Sequence, residues 1–152
     1  MELDDAYQLA RELLDSHGLE EWTVTFDSAR RRAGQTVFPT STISLSSPLT
    51  QLCTPEQVRG TVLHEIAHAL VGPGHNHDGT WKEVAQSIGA SPRAQFKGGP
   101  QVPARYIGIC PAGHTVHRHR RSRNLQSCAK CCPEFNLDYL ITWHDTQVPA
   151  WL

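Results

Sequence analysis

Residues 61–82, TVLHEIAHALVGPGHNHDGTWK, bring His64, His68, His75 and His77 within fourteen positions and set Glu65 beside the first of them. Just ahead, Thr54-Pro55-Glu56-Gln57 reads as a helix start: Thr54 can cap, Pro55 suits the first helical position, and Gln57 can reach back to close a capping box. The helix so begun carries Val58, Val62, Ile66, Ala69 and Leu70 as its apolar set and ends at Gly72-Pro73. His64 and His68 lie four apart on it, so both imidazoles leave one face about one turn apart and can grip a single ion. The phrase is H-E-x-x-H. Zinc held by three protein ligands keeps a fourth position open and lowers the pKa of a water there to roughly 7, so a neighbouring carboxylate such as Glu65 can draw off its proton.

With nine His and eight Glu in 152 residues, the pattern arises by chance about 0.03 times in a chain of this composition. The third ligand is open between His75 and His77, with Glu83 a more distant choice. A metzincin places glycine three residues past the second histidine and the third ligand six past. Here Gly72 is four past His68 and His75 is seven past, and Met1 is the only methionine, so no Met-turn can form.

Working outward, residues 3–14 place Leu3, Ala6, Leu9, Ala10, Leu13 and Leu14 at helical spacing, with His17-Gly18 as the stop. Trp22, Val24 and Phe26 alternate with polar residues, as do Ile43 and Leu45, and a further strand is expected near 36–38. These predict a small antiparallel or mixed sheet after one helix. Downstream, a helix is expected over about 79–88, closed by Gly89. SPRAQFKGGPQVPAR, rich in Pro and Gly, reads as a linker. Short strands are expected around 106–109, 115–119 and 139–143.

That last region holds a second metal pattern. Cys110, His114, Cys128 and Cys131 give C-x3-H, thirteen residues, then C-x2-C, which suits two zinc knuckles across a hairpin and leaves no open position. Such a site is structural, holding together a segment too short to fold on its own core. Cys132, beside Cys131, is an alternative ligand, whereas Cys53 reads as an apolar residue ahead of the helix. Between the knuckles run Arg118, Arg120, Arg121 and Arg123. Strand alternation would put Arg118 and Arg120 on one face and His117, His119 and Arg121 on the other, displaying a basic tip able to contact phosphates. Trp22, Trp81 and Trp143 read as core; Arg30, Arg31 and Arg32 form a second basic run.

Charge is unevenly spread. Between Val84 and Pro133 there is no acid against eight basic residues, while the rest carries all 15 acids against six. A basic segment on an acidic body points to a polyanion, nucleic acid first. The opening MELDDAYQLARELL has acids where a signal peptide carries lysines, and no apolar run approaches the roughly 18 residues of a membrane span. The expected location is therefore cytoplasmic, nucleoid-associated if DNA is bound, with no membrane partner. In that compartment clustered cysteines point to metal rather than disulfides.

HEIAHALVGPGHNHDGTW, preceded by a sheet segment ending ISLS, resembles the SprT-like metallopeptidases, the group that includes the DNA-dependent protease Spartan. In that family a third histidine follows H-E-x-x-H at variable distance, four residues before an aromatic, as His77 stands before Trp81 in H-D-G-T-W. The resemblance implies His64, His68 and His77 as zinc ligands, Glu65 as catalytic base, and His75 as a neighbour of the metal site. WTVTFDSARRRAG with TISLS is similar to the family's strands, and the cysteine cluster to its C-terminal zinc ribbon, although the family often has cysteine where His114 stands.

The expectation is an α+β chain: a small zincin over 1–91 with the HExxH helix packed on a short sheet, a linker over 92–104, and a β zinc ribbon over 105–152. It would bind one catalytic and one structural Zn2+ and cleave protein bound or crosslinked to DNA, which the ribbon contacts. Two other readings fit the same residues: a DNA-binding zinc protein with a structural HEIAH site, and a metalloprotease specific for one regulator.

Overall fold

The computed structural model describes residues 1–93 and 99–147. Residues 94–98 of the expected linker, including Lys97, and residues 148–152 of the expected ribbon lie outside the described residues. The chain divides into two compact units, Met1–Val102 and Pro103–Leu152.

The first unit opens with α1 (Leu3–Ser16), which buries Ala6, Ala10, Leu13 and Leu14. Gly18, at φ 72°, turns the chain out of it, a conformation that a side chain would strain. Three strands follow, β1 (Thr23–Asp27), β2 (Gly34–Val37) and β3 (Thr42–Ser46), in spatial order β1-β3-β2. The sheet is mixed, since β3 pairs parallel with β1 and antiparallel with β2.

Central β3 is buried along most of its length, which requires its serines to find partners. Ser44 donates to Asp27 at 2.5 Å, while Ser46 donates to the Ala29 carbonyl at 2.6 Å and accepts the Leu49 N–H at 3.1 Å. That last bond caps α2 (Ser47–Leu52), a short helix that the sequence reading did not anticipate.

Burial alone would raise the Asp27 carboxyl. The Ser44 hydroxyl, the Ala29 N–H and Arg32 together prevail and hold it below the ordinary carboxylate range. Because the folded value is the lower one, this stabilisation is present above about pH 4 and is lost as the pH falls through the folded value. Asp27→Asn is therefore expected to flatten the acid limb of the stability curve, read as urea midpoints between pH 3 and 7.

The histidine-bearing helix is α3 (Pro55–Val71), with the capping box expected: the Gln57 N–H donates to Thr54 Oγ1 at 3.3 Å and the Thr54 N–H to Gln57 Oε1 at 2.9 Å. Its buried stripe is Val58, Val62, Leu63, Ile66 and Ala67, joined by Glu65. Leu70, expected in that stripe, is exposed. Gly72 at φ 84° ends the helix, and α4 (Gly79–Ser87) follows, capped by Asp78, which accepts the Trp81 N–H at 3.0 Å. Trp81 is fully buried in the core formed by α1, the sheet, α3 and α4.

The second unit contains β4 (Tyr106–Ile109), β5 (Thr115–Arg118) and β6 (Thr142–Asp145), an antiparallel sheet in the order β5-β4-β6. Tyr139, expected in a strand, instead ends a 3-10 turn (Leu137–Tyr139) that Asn136 caps by accepting the Asp138 N–H at 2.8 Å. The sheet closes tightly over Gly108, where a Cβ would lie 2.4 Å from the Ile141 side chain and 2.9 Å from the Trp143 ring. Among the described residues of this unit only Gly108, Cys110 and Cys128 are buried.

Candidate active site and metal centres

Helix α3 aims His64 and His68 from consecutive turns, and the turn before α4 swings His77 back to meet them. The Nε2 atoms of His64 and His77 are 3.0 Å apart, and those of His68 and His77 3.2 Å. Tetrahedral zinc, with bonds of about 2.0–2.1 Å to nitrogen, requires ligand atoms about 3.3 Å apart. The three nitrogens are thus close to the spacing zinc needs and could share one ion.

Burial, with the neighbouring His68 and His77, pushes the His64 imidazole down to about 4. Burial and His77 also lower His68, against a hydrogen bond from its ring to the His75 backbone. Both rings are therefore neutral near pH 7, the form that binds metal.

The Trp81 ring floors the cluster, its centroid 4.7 Å from His64, 5.2 Å from His68 and 4.6 Å from His77. Trp81→Ala would leave a void under all three imidazoles. The expected cost is about 3–5 kcal/mol of stability, with zinc lost from this site at lower chelator concentration; urea unfolding and zinc content check both.

Glu65 is 7% exposed, on the side of α3 facing β2. Burial drives its carboxyl up to about 7, although the Thr36 hydroxyl and Arg32 pull the other way. Thr36 Oγ1 lies 2.8 Å from Glu65 Oε2 and 3.0 Å from the Glu65 carbonyl oxygen. Neither Thr36 nor Gly34, which also lies against Glu65, carries a local signal in the sequence, because only strand register brings them to it. His75 does not join the triad. Its Nδ1 is 2.7 Å from Asp78 Oδ2, which ties the loop to the α4 cap. Arg32 pairs with Asp27 at 2.9 Å.

In the second unit Cys110, His114, Cys128 and Cys131 converge, and Cys132 is not among them. Cys110 Sγ is 3.8 Å from Cys131 Sγ, and His114 Nδ1 is 3.6, 3.6 and 3.3 Å from the sulfurs of Cys110, Cys128 and Cys131. Zinc–sulfur bonds of about 2.3 Å put tetrahedral sulfurs about 3.8 Å apart, so this group too fits zinc. Burial and the adjacent sulfurs of Cys128 and Cys110 push the Cys131 thiol up to about 12. Burial also opposes thiolates at Cys110 and Cys128, but backbone N–H groups of the knuckles outweigh it and lower both. Without a cation Cys131 is therefore a neutral thiol near pH 7, and only a bound cation would favour its thiolate beside the other two.

Arg118, Arg120, Arg121 and Arg123 are all exposed, and none pairs with an acid among the described residues. The two faces expected from alternation do not extend along the run, because β5 ends at Arg118 and the other three sit in the following loop.

A helix bearing H-E-x-x-H, packed on a small mixed sheet with a third imidazole returned to it, defines a zincin-type metallopeptidase fold. The chain belongs to the SprT-like family, whose model matches residues 4–103. Among solved structures it is similar to the metallopeptidase zymogen jannalysin of Methanocaldococcus jannaschii, at 18% identity over 54% of this chain and 79% of that one, with a TM-score of 0.48. No curated protein sequence matches it. Among the described residues no helix is long and apolar enough to cross a membrane.

Proposed function

We propose that the chain is a zinc-dependent endopeptidase acting on protein bound or crosslinked to DNA, with His64, His68 and His77 holding the catalytic ion and Glu65 as the base. The observation that carries this is the meeting of three Nε2 atoms near zinc-ligand spacing, with the buried Glu65 next to His64 on the same helix. Zinc in that site supplies Lewis acidity to polarise the scissile carbonyl. Glu65 takes a proton from the attacking water and returns it to the leaving amine. Membership of the SprT-like family supports the peptidase reading.

A second, structural zinc at Cys110, His114, Cys128 and Cys131 orders the ribbon. From it Arg118, Arg120, Arg121 and Arg123 contact phosphates without reading sequence, which makes affinity strongly salt-dependent. The supporting observation is four exposed arginines with no acidic partner among the described residues.

The test is cleavage of a DNA-binding protein by the zinc-loaded chain, without DNA, with single-stranded DNA and with duplex. Cleavage that rises with DNA, and loses that rise when the four arginines become glutamines, is the expected result. Cleavage of one partner without any effect of DNA would favour a regulator-specific protease. DNA binding without cleavage would favour a binding protein.

A further inference from the structure

Glu65 can act as a base only if its carboxyl is held in one place, and helix α3 alone does not do this: a glutamate side chain has three rotatable bonds. The restraint comes from edge strand β2. In the antiparallel register Gly34 stands opposite Leu45 and Thr36 opposite Ile43, so both point to the sheet face that α3 covers. There Thr36 Oγ1 meets Glu65 Oε2 at 2.8 Å, and among the described residues Thr36 is the hydrogen-bonding partner of that carboxyl. One position on the same face away, a Cβ on Gly34 would lie 2.8 Å from Glu65 Cγ and 2.9 Å from Oε1, with Thr61 Cγ2 at 3.0 Å behind. The carboxyl therefore occupies the space that any side chain at 34 would fill, and β2 both holds it and makes room for it.

From this geometry we infer that Thr36 and Gly34 are positioning residues for Glu65, Thr36 fixing Oε2 through its hydroxyl and Gly34 leaving the space in which the carboxyl sits. The inference rests on the peptidase reading for its kinetic consequence, but the contact itself can be tested without it. Thr36→Val keeps the shape and removes the hydroxyl, Thr36→Ser keeps the hydroxyl, and Gly34→Ala displaces the carboxyl without touching the metal ligands.

The experiment measures kcat, KM and zinc content for the three variants of the full chain, together with a double-mutant cycle of unfolding midpoints between Thr36→Val and Glu65→Ala. Thr36→Val and Gly34→Ala are expected to lower kcat about 10- to 100-fold with zinc content unchanged. KM should stay within about twofold, because the loss falls on the chemical step. Thr36→Ser should recover most of the rate, and the unfolding effects of Thr36→Val and Glu65→Ala should be non-additive. Wild-type kcat in Thr36→Val, equal impairment in Thr36→Ser, or strictly additive midpoints would overturn the inference. If the wild-type chain cleaves nothing, the peptidase reading fails by itself and the unfolding cycle decides the role of β2.

Discussion

Glu65→Gln is expected to lower peptide cleavage by about 10²- to 10⁴-fold while the zinc content stays at its wild-type value. Glutamine matches the buried side chain in size, and its carbonyl can accept from the Thr36 hydroxyl as the carboxylate does. The site therefore keeps its packing and its three imidazoles. What the amide cannot do is take up a proton from water and give it back to an amine. A loss confined to kcat would place Glu65 in the chemistry, whereas a loss of zinc in the same variant would mean that it serves the ligands instead. Peptide hydrolysis under saturating substrate, with zinc determined on the same sample, separates the two.

Cys128→Ser is expected to remove one zinc per chain and to unfold the ribbon. The reason is the near absence of any other core: among its described residues only Gly108, Cys110 and Cys128 are buried, while Leu125, Phe135 and Leu137 are 71%, 59% and 65% exposed. Structural zinc contributes on the order of 10–16 kcal/mol of binding free energy in small modules, and in a unit without a core that energy is the folding energy. Serine cannot replace the thiolate, and the three remaining donors would leave Cys110 and Cys131 facing each other without a complete cage. Trypsin cutting at Arg118, Arg120, Arg121, Arg123 and Lys130 reports the change, and should become rapid in the variant. Zinc content should fall from two to one, with the ion at the histidine site retained.

The parts legible in the sequence are those encoded locally. The capping box at Thr54 and Gln57, the four-residue spacing of His64 and His68, and the Gly72 stop can each be read within a few positions. His77 required the resemblance carried by H-D-G-T-W, because a loop separates it from the helix and spacing alone left His75 equally eligible.

What escaped depends on neighbours distant in the chain. Leu70 fits the apolar period of α3 but is exposed, while Leu63 and Ala67 take up the burial. Helix α2 had a local signal, Ser46 followed by Pro48, that was hidden because Ser46 also closes a strand. Thr36 and Gly34 are ordinary strand residues until the pairing of β2 with β3 brings them against Glu65. The arginine run read as alternating only on the assumption that β5 continued past Arg118.

The most direct test of the two-centre account is zinc content by native mass spectrometry, with cleavage assayed in parallel, on wild type, His77→Ala and Cys131→Ser. The account predicts two zincs and cleavage in wild type, one zinc and no cleavage in His77→Ala, and one zinc at the intact histidine site in Cys131→Ser. Two zincs and wild-type cleavage in His77→Ala would contradict it, since the third ligand and the catalytic ion would then lie elsewhere.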